Sequence, residues 1–325
     1  MKKINIVFIL TLTVLACNNS KSRDQSLLSD SSGKINSLSI VIDNNLWQGD
    51  IGEAIRNVLA SPVDGLPQDE PLFRMSQIPP SVFSGFVTHN RTVLKIEKGK
   101  EANFIIAKNV FAKPQMVVVV SGKTNQQIID LINFNSKKVI KVFKDTEIKE
   151  KQRRIKLSLH SDKAIQEELG VSIKFPSAYR IAKHEDNFFW IRKDITTGTT
   201  NIMIYELPSN SVKRNDSLMS RIISIRDSIG KVHIPGPIEN TYMITEDAYA
   251  PYLFETIIDD KPALETKGIW DVKGAFMSGP FANYIIEDKL NDRLLVIEGF
   301  AFAPSVEKRE YMFEIEAIIK SVKIK

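Results

Sequence analysis

Four histidines, one cysteine and a scatter of carboxylates are the residues from which this chain could build chemistry. His89, His160, His184 and His233 stand far apart, in neither HExxH nor HxH spacing, so no helical turn carries a pair of imidazoles for zinc. Cys17 is the single thiol, which excludes paired-cysteine metal sites and any internal disulfide. Ser81, Ser84 and Ser278 lie near glycines, but no GxSxG elbow frames them. Glu246-Asp247 and Asp259-Asp260 sit in turn-like stretches, where exposed acids are ordinary. A glycosidase needs two acids facing each other across a cleft, which adjacency in sequence does not provide. Neither GxGxxG nor GxxxxGK is present to cradle a phosphate. The expectation is therefore no metal, no cofactor and no catalytic residues recognisable from spacing.

The cysteine has a more specific context. Lys2 and Lys3 precede an apolar run from Ile4 to Ala16, too short for the roughly 20 residues that cross a bilayer but right for the apolar core of an export signal. The run ends Val14-Leu15-Ala16-Cys17, with a small residue directly before the thiol. This resembles the lipobox of bacterial lipoproteins. The resemblance implies cleavage after Ala16, diacylglycerol on the Cys17 sulfur and usually an acylated new amine. Two or three acyl chains, at roughly 0.8 kcal/mol per buried CH₂, make a stable anchor. Residues 1–16 are then a signal peptide, and Cys17 ties the chain to a membrane.

Composition fits an exported globular body. The chain is 43% hydrophobic and 26% charged, with a net charge of +5, or +3 without Lys2 and Lys3. That balance is too mild for a nucleic-acid partner. Residues 17–36 are rich in Ser, Asn and charge and read as a lipidated flexible tether. Surface-displayed lipoproteins of Bacteroidetes often carry acids after the cysteine, whereas Asn18, Asn19, Ser20 and Lys21 stand here. By that resemblance the body faces the periplasm, most simply from the outer membrane.

Beyond the anchor, binding candidates carry two readings each. Trp47, Trp190 and Trp270 could line a ligand pocket or fill cores. Arg226, at helical spacing in Leu218–Gly230, could hold an anion or a structural ion pair. The stretch 136–156 carries nine Lys and Arg against Asp145, Glu147 and Glu150. Its residues Lys137, Lys138, Lys141 and Lys144 could rest on anionic headgroups or form a solvated helix face. Prolines and glycines in IPGP (234–237) and SGPF (278–281) could shape a rim or simply turn the chain.

The elements that must position these residues follow from periodicity. Strand signals cover 37–43, 73–78, 91–97, 103–111 and 116–120. A helix over 50–59 is expected with Asp50 as its cap, then a proline-rich loop over 61–71 and a short helix over 79–86. Thr124 caps a helix to Phe134. A longer one runs from Ser136 toward Leu169 with a break near His160. The second half alternates strands (171–175, 187–192, 201–205, 242–245, 252–258, 263–272, 281–287, 293–303) with a helix from Ser217 stopped by Gly230. A last helix spans 305–319, before a terminal strand over 321–324. This predicts an α+β fold: an alternating α/β unit over 37–165, then an antiparallel sheet with packed helices over 166–325.

Several short motifs resemble a family of uncharacterised Bacteroidetes lipoproteins, the domain of unknown function 4837. They are Leu46-Trp47, VDGLPQDEPLF (63–73), PQMVV (114–118), FFW (188–190), RDS (226–228), IPGP, GIW (268–270), SGPF and EGFAFAP with Lys308-Arg309. They cover nearly all of the chain after the tether. The resemblance implies an envelope protein and carries no activity. The final strand–AP–helix–SVKI stretch is similar to the antiparallel sandwich of Mog1/PsbP-like proteins, by fold analogy alone. Three readings follow: a non-catalytic envelope lipoprotein with a protein or envelope partner, a small-molecule or glycan binder, and an envelope-polymer hydrolase. The first accords best with the missing catalytic residues.

Overall fold

The structure, a computed structural model, describes residues 28–325. Cys17, the signal segment and most of the expected tether lie outside the described residues.

The first half is built on five strands: β1 (Ser37–Val41), β2 (Arg74–Ile78), β3 (Thr92–Lys98), β4 (Asn103–Lys108) and β5 (Met116–Gly122). Their order is β2-β1-β3-β5-β4, all parallel except β4 against β5. Because strand side chains alternate in direction, the sheet has two different faces. Leu38, Ile40, Leu94, Ile96, Val118 and Val120 form one core with the helices α2 (Asp50–Leu59), α3 (Asn125–Phe134) and α4 (Ser136–Ile155). Val41, Val93 and Val117 face the other way, under Phe83, Val110 and Phe111.

Local chemistry explains the helix starts. Thr124 and Gln127 make a full capping box for α3. Asp50 does not cap α2: Gly49 holds the cap position, and a short helix α1 (Asn44–Gln48) precedes it. Asp50 serves instead in the first turn, where its charge suits the helix dipole. The α1–α2 corner is so tight that a Cβ at Gly52 would lie 1.8 Å from the Trp47 carbonyl oxygen.

The long helical segment breaks around His160, as expected, into α4 and α5 (Lys163–Leu169), the latter ended by Gly170 in the left-handed region. A two-stranded pair, β6 (Val171–Ser172) with β15 (Lys323–Ile324), ties the end of the chain to its middle. The second sheet contains β7 (Arg180–Glu185), β8 (Phe188–Ile195), β9 (Gly198–Pro208), β10 (Tyr242–Thr245), β11 (Tyr252–Ile258), β12 (Lys261–Lys273), β13 (Ala275–Asp288) and β14 (Arg293–Phe302). Its order is β10-β12-β13-β14-β9-β8-β7, with β11 also on β12, and every pairing is antiparallel. The edge strand β7 escaped the sequence because its mostly exposed residues show no apolar alternation.

Helix α6 (Leu218–His233) covers one face of this sheet and α7 (Arg309–Ile319) packs on the other. Gly230 does not stop α6. It lies inside the helix, where a Cβ would stand 2.4 Å from the Met243 carbonyl oxygen. The glycine is there for close packing on β10, not for termination. The architecture is α+β: a mixed, mainly parallel sheet with helices on one face, followed by an antiparallel sheet.

Helix α4 belongs to both cores. Val139 and Phe143 pack in the first, Ile148 and Ile155 in the second. The loop around Glu70 joins the halves again: its carboxylate accepts the backbone N–H groups of Lys308 (2.6 Å) and Arg309 (2.8 Å) at the start of α7.

Candidate functional site

Helix α6 turns Ile222, Arg226 and Gly230 toward the sheet, one turn apart. Arg226 is 1% exposed, and its Nη2 lies 2.9 Å from the fully buried Glu298 carboxylate. Nη1 donates to Thr245 Oγ1 at 2.9 Å, and the guanidinium carbon sits 3.9 Å from the Phe281 ring centre. Asn283 donates to the other Glu298 oxygen at 2.9 Å. Burial, and then the Glu298 charge, pushes the neighbouring Tyr205 phenol far above its ordinary pKa. Arg226 is thus a structural ion pair, and it cannot serve as an accessible anion site because the core encloses it.

The tryptophans do not converge on a pocket. Trp270 is buried in the same core, edge-on to Phe300 at 5.6 Å, and its indole N–H reaches the Ala301 carbonyl at 3.2 Å. Trp190 is half-buried and donates to Asn201 at 3.0 Å. Trp47 lies in the other half of the chain, 4.9 Å beneath the Arg56 guanidinium.

The basic stretch is divided by the fold. Lys137, Lys138 and Lys141 are exposed on α4, the last paired with Asp145. Lys144 departs from the expected surface group. It points into the seam between the halves, 2.8 Å from Glu316. Burial alone would lower the Lys144 ammonium, but the Glu316 carboxylate outweighs it and raises the pKa. On the inner side, Glu147 and Glu150 are buried against Arg91, whose Nε lies 2.8 Å from Glu147. The sequence carried this signal: Val139, Phe143, Glu147 and Glu150 are spaced for one helix face. Counting the acids only as compensating surface charge missed it.

Among the concavities of the described residues, two bear on these side chains. The seam holds a cavity of about 50 Å³ lined by Leu66, Phe73, Phe281, Met312, Lys144 and Glu316. That is room for water, which needs roughly 10–15 Å³, not for a ligand. The second is an open cleft of about 520 Å³ at the end of the antiparallel sheet, lined among others by Asn187, Phe188, Tyr205, Ile229, His233 and Arg293. This lies within the roughly 300–1,000 Å³ of small-molecule sites. The His233 ring stacks on Phe188 at 3.9 Å. Burial, then the Lys183 charge, lowers the His233 pKa against the opposing pull of Glu185. Arg293 is fully engaged, with Nε on Asp288 (2.9 Å), Nη1 on Glu206 (2.6 Å) and Nη2 on the Leu169 carbonyl (2.7 Å).

No serine, threonine or cysteine lines that cleft, whose polar side chains are Asp186, Asn187, Tyr205, Glu206, His233, Asn291, Asp292 and Arg293. Among the described residues no group of three or more His, Cys, Asp and Glu is placed to hold a metal ion. Nor is any described helix long and apolar enough to cross a membrane.

Comparison with known proteins places two family models on the chain. Residues 158–321, just over half of it, match the domain of unknown function DUF4837. Residues 31–156 match a second one, DUF8532. The DUF4837 resemblance is therefore narrower than the motifs suggested: those of the first half, Leu46-Trp47 through PQMVV, fall in DUF8532. No curated protein matches the chain at a significant level. Among solved structures, LpqN of Mycobacterium tuberculosis, described as involved in cell envelope biogenesis, is 11% identical over 47% of this chain and 82% of its own, with a TM-score of 0.28. The Ran-binding protein Mog1p of Saccharomyces cerevisiae is 8% identical over 47% and 89%, with a TM-score of 0.29.

Proposed function

Because the chain belongs to the DUF4837 family, defined as a domain of unknown function, we propose a role read from its own residues: a lipid-anchored protein of the bacterial cell envelope whose body binds a partner in the periplasm and catalyses no reaction. The observation that carries the anchor is Val14-Leu15-Ala16-Cys17 closing an apolar run behind Lys2 and Lys3. The non-catalytic reading is supported by the fate of the arginine candidate, since Arg226 is engaged by the chain's own Glu298, as buried Arg91 is by Glu147. Growth with a labelled fatty acid tests the anchor. The wild-type chain should take up label and Cys17→Ser should not; an unlabelled wild type would end this reading.

One observation favours a second reading, a small-molecule or glycan binder: the stacked Phe188–His233 pair in the open cleft. Titration with soluble cell-wall disaccharides should move the His233 ring resonances. Unmoved resonances would reject a glycan there.

A further inference from the structure

The expected tether is shorter than its composition suggests. Ser29, Ser31 and Ser32 are already held to the body: Lys113 N–H donates to the Ser29 carbonyl (2.9 Å), Ser31 N–H to the Lys113 carbonyl (3.0 Å) and Ser32 N–H to the His89 carbonyl (2.9 Å). Ten residues separate Cys17 from Leu28. At about 3.5 Å per extended residue they span at most about 35 Å, roughly the diameter of a small domain. Whatever lies beside Ser29 is kept close to the anchored end.

What lies there is an apolar, nearly acid-free surface. The crossover from β2 to β3 runs over the sheet face opposite the helices and forms two 3₁₀ turns, Pro80–Val82 and Gly85–His89. Phe83 packs inward, edge-on to Phe111 at 5.5 Å. Val82, Phe86 and Val87 point out, 55%, 89% and 38% exposed. No Asp or Glu occurs in residues 79–91 or 103–116, and Glu97, paired with Lys95 at 2.7 Å, is the one acid in the five strands. Lys113 is exposed beside this surface, and Asp30, bridged to Lys113, is the acid at its edge.

We propose that this face, carried by Val82, Phe86 and Val87 with Lys113 beside them, rests on the bilayer that holds the Cys17 lipid, and so orients the body with α4 away from the membrane. The inference rests on the lipid anchor and goes beyond it. Three protruding side chains fall well short of the roughly 800 Å² per partner that a stable protein interface buries. They suit shallow insertion at a headgroup boundary, where apolar side chains enter and lysines meet anionic lipid. The exposed lysines Lys137, Lys138 and Lys141 belong to the opposite side: α4 packs on the helix-covered face, and Lys138 lies over Phe104 of that core.

Cys17 is the sole cysteine, so once it is acylated an introduced thiol can be labelled uniquely. The lipidated full chain carrying Ser84→Cys, between the two 3₁₀ turns, is labelled with an environment-sensitive fluorophore. It is then reconstituted in vesicles of phosphatidylethanolamine and phosphatidylglycerol containing nitroxide-bearing lipid. Phe134→Cys, 90% exposed beside Lys137 and Lys138, reports on the opposite side. The Ser84 label should emit to the blue and be quenched by the lipid nitroxide, and the Phe134 label should remain water-like. Adding Phe86→Asp should return the Ser84 label to water while fatty-acid incorporation stays at wild-type level. Three results would overturn the proposal: a water-like Ser84 label, a Ser84 label shielded from water but untouched by lipid quencher (a protein partner or second copy), or quenching at Phe134 instead. Loss of fatty-acid incorporation in the parent chain would show that the anchor reading itself has failed.

Discussion

Arg226 and Glu298 meet 2.9 Å apart inside the second core, both within 1% of complete burial. A charge left alone there has no water to turn to, so either single change, Arg226→Met or Glu298→Leu, should cost about 3–5 kcal/mol. The double substitution replaces the pair with apolar volume and should recover most of that loss. Urea unfolding of the two singles and the double measures it. If the double is as unstable as the worse single, the ion pair is not what couples α6 to β14.

Glu70 fastens the first half to α7 by accepting two backbone N–H groups that a helix start otherwise leaves unpaired. Glu70→Ala should destabilise the protein by about 2 kcal/mol, as lost helix caps do. Hydrogen exchange should quicken at the amides of Lys308 and Arg309 first. Unchanged protection at those two amides would show that the contact is dispensable.

The Glu150 carboxyl is held down to about 2. Burial alone would raise it, but Arg153 (2.8 Å) and Arg154 (2.7 Å), helped by Arg91, more than reverse that. A carboxylate whose folded pKa lies below its unfolded value stabilises above the unfolded pKa, and that stability fades as pH falls from about 4.5 toward 2. Full linkage would give roughly 3 kcal/mol, but Arg153 and Arg154 are half-exposed and screened, so about 1–2 kcal/mol is the expected loss. Glu150→Gln should flatten this acid limb in denaturant midpoints taken across the range. A variant with the same acid limb as wild type would contradict it.

Helix propensity alone says Gly230→Ala should stabilise α6 by about 1 kcal/mol. The Met243 carbonyl 2.4 Å from the new Cβ decides the opposite. Overpacking of that kind typically costs about 1–3 kcal/mol, so a net loss is expected in thermal unfolding. A raised Tm would mean that α6 can move off β10 without penalty.

Most strands of both halves, β7 excepted, the capping box at Thr124 and the break after α4 were legible in the chain. Each depends on neighbours a few residues apart, where alternation, a hydroxyl or a helix-breaking stretch acts locally. The candidate site was not legible in the same way. Arg226 could have held an anion or a structural ion pair, and only Glu298, from a strand more than seventy residues away, decided for the pair. Lys144 looked like surface until Glu316 met it across the seam. The cleft at His233 draws on β8, β9, α6 and the β13–β14 turn, and no local pattern announces that meeting. Composition and periodicity set which residues wish to leave water and in which element they do so. Which charges they take with them depends on long-range packing: desolvation is settled by what the other half of the chain brings, not by adjacent residues.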